Sequence, residues 1–116
     1  FKETKFTKEI DKSKIKPELM SKYRKIDKTC KKAFEMFKTA YARFAKNMAL
    51  DALALGGVYI AGGIAQKNVD IFDKEFTDVF EESHKMRNVL KGIPIYLILN
   101  YDVGLLGAGF AGSKLL

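Results

Sequence analysis

A chain of 116 residues makes one domain at most, and 47% hydrophobic with 30% charged residues is ordinary globular composition, which excludes a disordered or wholly membrane-embedded chain. A single cysteine, Cys30, excludes an intrachain disulfide framework and fits a reducing, intracellular setting. The formal charge of +7 comes from the start of the chain, where residues 1–38 hold thirteen Lys or Arg and six Asp or Glu, against eight of each in 39–116.

Lys dominates that basic third, with Arg only at 24, 43 and 87 in the whole chain, and Asp11, Glu18, Asp27 and Glu35 interrupt the run. Phosphate and base recognition favours the bidentate guanidinium. The pattern therefore reads as a solvated Lys-rich face, not a surface for nucleic acid or an anionic membrane. Phe1 to Ser21 is polar, contains Pro17 and has little to bury. It lacks the apolar core of a signal peptide. A start at Phe1 without Met suggests a processed chain or a piece of something larger.

From about Lys22 the spacing predicts a long amphipathic helix. Cys30, Phe34, Phe37, Tyr41, Phe44, Met48 and Leu55 form its apolar stripe, with Lys31, Lys32, Glu35, Lys38 and Lys46 opposite. Cys30 falls on the apolar side, as a core residue more than a nucleophile. Next comes Gly56-Gly57-Val58-Tyr59-Ile60-Ala61-Gly62-Gly63-Ile64-Ala65. The apolar run at 58–61 predicts a buried strand, and the first glycine pair is placed to end the helix. The second pair, at the strand's C-terminal end, lets another backbone or a flat ligand come close. Ligands bind at that end of open α/β sheets, so the element suggests half of a nucleotide site. Asp51 and the glycine pairs argue against a membrane span over the apolar 48–65.

Residues 64–91 predict two or three short helices with apolar clusters at Val69, Ile71, Phe72, Phe76, Val79 and Phe80, then Met86, Val89 and Leu90. Gly92 stops the last of them, and Ile93–Leu99 predicts a strand apolar on both faces, hence interior, with Pro94 at its start. Asn100-Tyr101-Asp102 is a turn, and a glycine-rich closing helix follows from Val103. Its Gly104, Gly107 and Ala111 are placed for close approach by a neighbour. Two parallel strands make a poor sheet alone, so the chain calls for more strands than it contains.

No complete catalytic constellation is present. Gly107-Ala108-Gly109-Phe110-Ala111-Gly112 matches G-x-G-x-x-G literally, but only four residues follow it, too few for a dinucleotide fold. His84 is the only histidine and has no Cys or second His for zinc. The acids include no pair that spacing singles out, and no phosphate-binding P-loop motif occurs. Ser113-Lys114-Leu115-Leu116 carries one Leu too many for a peroxisomal address.

Several stretches together resemble the bacterial-type glucokinases: Thr29-Cys30 through Ala33, Phe37, Arg43–Leu50, Gly56–Ala65, Phe80-Glu81, Ile93-Pro94-Ile95-Tyr96 and Gly104–Ala108, in the family's order over about residues 26–112. The resemblance implies an α/β fold, part of a ribonuclease-H-like ATPase domain of the actin and hexokinase type, helix-rich and with about two core strands here. A Lys-rich segment at 1–21 would precede the C-terminal portion of the large domain at 22–116. It implies ATP with Mg2+ as cofactors and an adenosine contact through Gly57, Gly62, Gly63 and Ile64. The metal contacts, the phosphate loop, the aspartate base and most glucose contacts would lie outside this chain. The parent would phosphorylate glucose in the cytoplasm and these residues alone would not. No nucleic acid or membrane partner is expected, and the helical region is a candidate homodimer surface. Two departures are Gln66, where the family usually has Pro, and Glu82-Ser83-His84-Lys85, where it has an acidic-Lys-Gly-Arg turn. The alternatives are another sugar kinase of the superfamily, or a non-catalytic module whose basic third docks an anionic partner.

Overall fold

Pro17 opens the first helix, α1 (Pro17–Tyr23), in a computed structural model that describes residues 17–116. Proline suits the first helical position because its fixed φ matches the helix and no intrahelical amide is lost there. Most of the Lys-rich segment set apart at 1–21 lies outside the described residues, and the boundary at 21/22 falls within α1.

The helix expected from Lys22 is interrupted. The amides of Ile26 and Asp27 both donate to the Tyr23 carbonyl, at 3.0 and 2.9 Å, closing a turn. Asp27 then caps α2 (Lys28–Asp51), its carboxylate accepting from the amides of Thr29 at 2.9 Å and Cys30 at 2.8 Å. Such a cap stabilises a helix by about 1 kcal/mol.

The face that α2 buries corrects the expected stripe. Ala42, Ala45 and Ala49 are buried, whereas Phe44 and Leu55 are about three-fifths exposed and Phe37 and Met48 also face outward. The bulk on the other side of this contact comes from α4 (Lys74–Glu81), whose Phe76 and Phe80 are each 1% exposed. Large side chains on one helix need small ones opposite. Lys38, expected on the solvent side, is buried as well.

The glycine pair at 56–57 does not end α2. The helix closes earlier, with the Leu53 amide donating to the Leu50 carbonyl at 3.2 Å and the Ala54 amide to the Ala49 carbonyl at 2.9 Å. This is the Schellman arrangement, with Leu53 (φ 45°) in the left-handed position that glycine usually fills. Gly57 (φ 124°) instead turns the chain into β1 (Val58–Ile60).

β1 pairs in parallel with β2 (Ile95–Leu97), Val58 opposite Ile95 and Ile60 opposite Leu97. The crossover carries α3 (Gly63–Lys67), a 3-10 turn (Val69–Ile71), α4 and α5 (Arg87–Lys91). Ile60, Ala65, Phe76, Phe80, Leu90 and Ile93 join the alanines of α2 in one core. The loop 82–86 is held by Lys46 Nζ donating to the Glu82 carbonyl at 2.7 Å and by the Met86 amide donating to Ser83 Oγ at 3.1 Å, with His84 exposed.

The sheet is interior on one face only, which corrects the expectation for residues 93–99. On the other face Tyr59 and Tyr96 stack with ring centroids 4.9 Å apart, 64% and 47% exposed. α6 (Val103–Leu115) closes the chain and buries no residue. The close neighbour expected at Gly104, Gly107 and Ala111 is not found: a Cβ at either glycine would meet nothing within 4 Å, and Ala111 is exposed. Among the described residues no helix is long and apolar enough to cross a membrane.

Candidate functional site

At the C-terminal end of β1 the backbone passes through Gly62 at φ 106° and ψ 165°, a conformation open to glycine because no Cβ collides there. Gly63 is the first residue of α3, and Ile64 on the same turn is 54% exposed. A Cβ built on Gly62 or Gly63 would meet no atom within 4 Å.

Gly63 and Ile64 form one wall of a cleft of about 790 Å³ between α1, α2 and α3. Met20, Phe34 and Phe37 line it with apolar surface, and Ser21, Asn68 and Lys67 supply polar groups. That size lies in the range of small-molecule sites, which are mostly apolar with a few placed polar groups.

Each wall is tied in place. Asn68 is buried, donates from Nδ2 to the Ile64 carbonyl at 2.8 Å and accepts through Oδ1 from Ser21 Oγ, joining α3 to α1. Gln66 donates to the carbonyls of Ile98 at 3.2 Å and Asn100 at 3.0 Å, so the residue that departs from the family's usual Pro fastens α3 to the end of β2. Arg24 packs over the Phe34 ring at 4.3 Å and grips Asp70 through both carboxylate oxygens, at 2.6 and 2.7 Å. The guanidinium holds the Asp70 carboxyl below its ordinary range, outweighing the opposing effect of burial.

Outside the cleft lining, Lys38 bridges Asp73 at 2.8 Å and Glu75 at 2.6 Å. Burial alone would depress the Lys38 pKa, but the two carboxylates outweigh it and hold the ammonium above its ordinary value. Cys30 is buried, with Sγ 3.8 Å from Sδ of Met20, one of the cleft-lining residues. Burial, with Asp27 beside it, pushes the thiol pKa up, as for an inert core cysteine.

Of the four residues implied by the resemblance, the structure brings Gly62, Gly63 and Ile64 together and sets Gly57 apart. Gly57 precedes β1 and the others follow it. A Cβ on Gly57 would lie 2.7 Å from Tyr96 Cε2 and 3.2 Å from the Pro94 carbonyl oxygen, so its missing side chain makes room for β2. The cleft walls Met20 and Ser21 were not foreseen, because they come from the segment judged to have little to bury. Phe34 and Phe37 carried a periodic signal that pointed to core. Among the described residues no cluster of three or more His, Cys, Asp or Glu is placed to hold a metal ion.

The glucokinase family profile matches residues 3–115, reaching further toward the N-terminus than the 26–112 span that carries the motifs. The chain is 40% identical over 90 residues to a glucokinase of Nostoc sp. (strain PCC 7120), covering 77% of this chain and 26% of that protein. It is 40% identical over 81 residues to a glucokinase of Yersinia enterocolitica and 41% over 81 residues to one of Cronobacter sakazakii, each covering 69% of this chain and 25% of the relative. The chain thus spans about a quarter of the length of the curated relatives it matches. No solved structure matches it at a significant level. With nearly its whole length matched by the family profile and about 40% identity to several of its members, the chain belongs to the glucokinase family.

Proposed function

We propose that this chain forms the adenosine side of the ATP site in a glucokinase with a ribonuclease-H-like large domain. The carrying observation is that Gly63 and Ile64 stand in the wall of the apolar cleft, while positions 62 and 63 have empty space where a side chain would be. A purine and its ribose would lie on the bare backbone at Gly62 and Gly63, with Ile64 against the ring. Gly57 would act at one remove, by seating β1 against Tyr96.

ATP, bound with Mg2+, would supply the phosphoryl group transferred to glucose. Phosphoryl transfer depends on positioning and on neutralising charge around the γ-phosphate. Those groups, the base and the sugar contacts are assigned to the parent's other residues, so the chain alone is expected not to phosphorylate glucose.

Gly63→Val in the full-length parent tests the reading. Gly63 has ordinary backbone and open space around its Cβ position, so the added side chain meets ligand and not protein. At Gly62 the positive φ would strain any replacement and blur the result. Gly63→Val should raise the KM for ATP by about tenfold, on the order of 1.4 kcal/mol, with glucose KM and melting temperature unchanged. An unaltered ATP KM, or equal losses for both substrates, would overturn the assignment.

A further inference from the structure

We infer that Gln66 is a positioning residue for nucleotide binding: its side chain fixes the backbone at Gly62 and Gly63 against the end of β2, and so sets where the adenosine is received. This role rests on the adenosine assignment above and concerns what holds those glycines in place.

The backbone at 61–64 has few ties of its own. Ala61, Gly62, Gly63 and Ile64 are all exposed, and no side chain caps α3 at Gly62. Glycine moves easily between conformations, and a five-residue helix brings little stability of its own. Buried Ala65 seats α3 on the core, but one methyl does not fix the rotation of so short a helix. Asn68 ties it on the α1 side through the Ile64 carbonyl.

Gln66 ties it on the sheet side, and works from both its ends. Its amide donates to the Gly62 carbonyl at 3.1 Å, closing the first turn of α3 on the glycine itself. Its side-chain Nε2 donates to the Ile98 carbonyl at 3.2 Å and the Asn100 carbonyl at 3.0 Å. Those acceptors are themselves fixed. The Ile98 amide donates to the Ile60 carbonyl at 2.8 Å, and Asn100 Oδ1 accepts from the Asp102 amide at 2.8 Å. One residue thus links Gly62, which follows β1, to the segment that follows β2. A proline at 66 has neither an amide for Gly62 nor a donor for the β2 end, so the tether comes with the glutamine. Gln66 is half-buried and Asn100 exposed, so water can replace the lost bonds and little stability goes with them.

The test compares Gln66→Ala, Gln66→Glu and Gly63→Val in the full-length parent, by calorimetry with ADP, by kcat and KM for both substrates, and by amide exchange without ligand. Gln66→Ala should weaken ADP binding and raise the KM for ATP by about fivefold, because only a fraction of molecules then hold the glycines in place. Its kcat, glucose KM and melting temperature should stay nearly unchanged, while exchange quickens at the amides of residue 66 and Ile98. Gln66→Glu gives a signature that lost packing does not. Its carboxylate can only accept, facing two carbonyl oxygens, whereas its protonated form donates to one of them. ADP affinity relative to wild type at the same pH should therefore recover as pH falls from about 8 to about 5, the carbonyls disfavouring the charged form. Should Gln66→Ala melt much lower than wild type, this pH dependence decides. Unchanged ADP affinity in Gln66→Ala, where Gly63→Val weakens it, would sink the role of Gln66 and leave the adenosine assignment standing. A defect in Gln66→Glu that ignores pH would reduce Gln66 to packing. If Gly63→Val also leaves ADP affinity unchanged, the assignment falls and the role of Gln66 falls with it.

Discussion

Leu53 and Gly57 both hold left-handed backbone at the joint between α2 and β1, and only one of them is glycine. A side-chain-bearing residue in that region costs roughly 1–2 kcal/mol. Leu53 is 54% exposed, so its side chain gives back little through burial. Leu53→Gly removes the strain and adds about 0.5–1 kcal/mol of chain entropy to the unfolded state. A net gain of about 0.5 kcal/mol is expected in urea unfolding, and a loss would mean that the leucine packs better than its exposure implies. Gly57 is the reverse case. Gly57→Ala adds a methyl 2.7 Å from Tyr96 Cε2 at a φ of 124°, and should cost about 2–3 kcal/mol. Gly56→Ala, with open space at the same joint, should stay within about 0.5 kcal/mol. The same denaturant series checks both, and equal effects at 56 and 57 would remove the role given to Tyr96.

Between elements, the joint of α2 and α4 rests on Lys38 reaching Asp73 and Glu75, with Asp73 also capping α4 by accepting from the Phe76 amide at 3.0 Å. Burial pushes the Asp73 carboxyl upward, but Lys38 and the Phe76 amide outweigh it and hold the pKa below the ordinary 3.8. A depressed carboxyl contributes stability above its unfolded pKa and loses it as pH falls through the folded one. Lys38, raised above 10.5, contributes fully below that value and loses it as pH climbs past the folded one. The melting temperature should therefore be level from about pH 4 to about pH 10 and fall on both sides. Asp73→Asn should lower the level part and make the acid fall shallower, while Glu75 keeps the alkaline side; an unchanged acid limb would show that the joint does not carry the titration. None of this was legible in the sequence, which placed Lys38 on the solvent face. Periodicity finds the largest apolar residues, but the buried face of α2 is decided by the bulk of Phe76 and Phe80 opposite, and they select Ala42, Ala45 and Ala49. Local punctuation was more reliable. The glycine pairs bracket β1, Gly92 and Pro94 introduce β2, and the open space at Gly62 and Gly63 goes with their missing side chains. The cleft beside that space was not legible, since Met20 and Phe34 reach it from two other helices, α1 and α2.

For the molecule as a whole, the described residues divide into one packed unit and one outlying helix. The unit runs from α1 to β2, and its buried cluster joins α2, the crossover helices and the inner face of the sheet. α6 contributes nothing to that cluster, and cooperative unfolding follows the contacts that are lost together. Removing residues 103–116 should therefore shift the unfolding free energy of the rest by less than about 0.5 kcal/mol. The same cut removes Leu105, Leu106, Phe110, Leu115 and Leu116, all strongly exposed, and leaves Tyr59 and Tyr96 in place. A dye that fluoresces on apolar surface should lose part of its signal, because these exposed apolar side chains are gone. The two readings together are discriminating. A lower melting temperature with unchanged dye binding would mean that α6 packs on the unit in solution, whereas unchanged stability with reduced dye binding leaves α6 an exposed apolar helix outside the unit. The second result is expected, since every glycine in α6 has open space where a neighbour would have to sit.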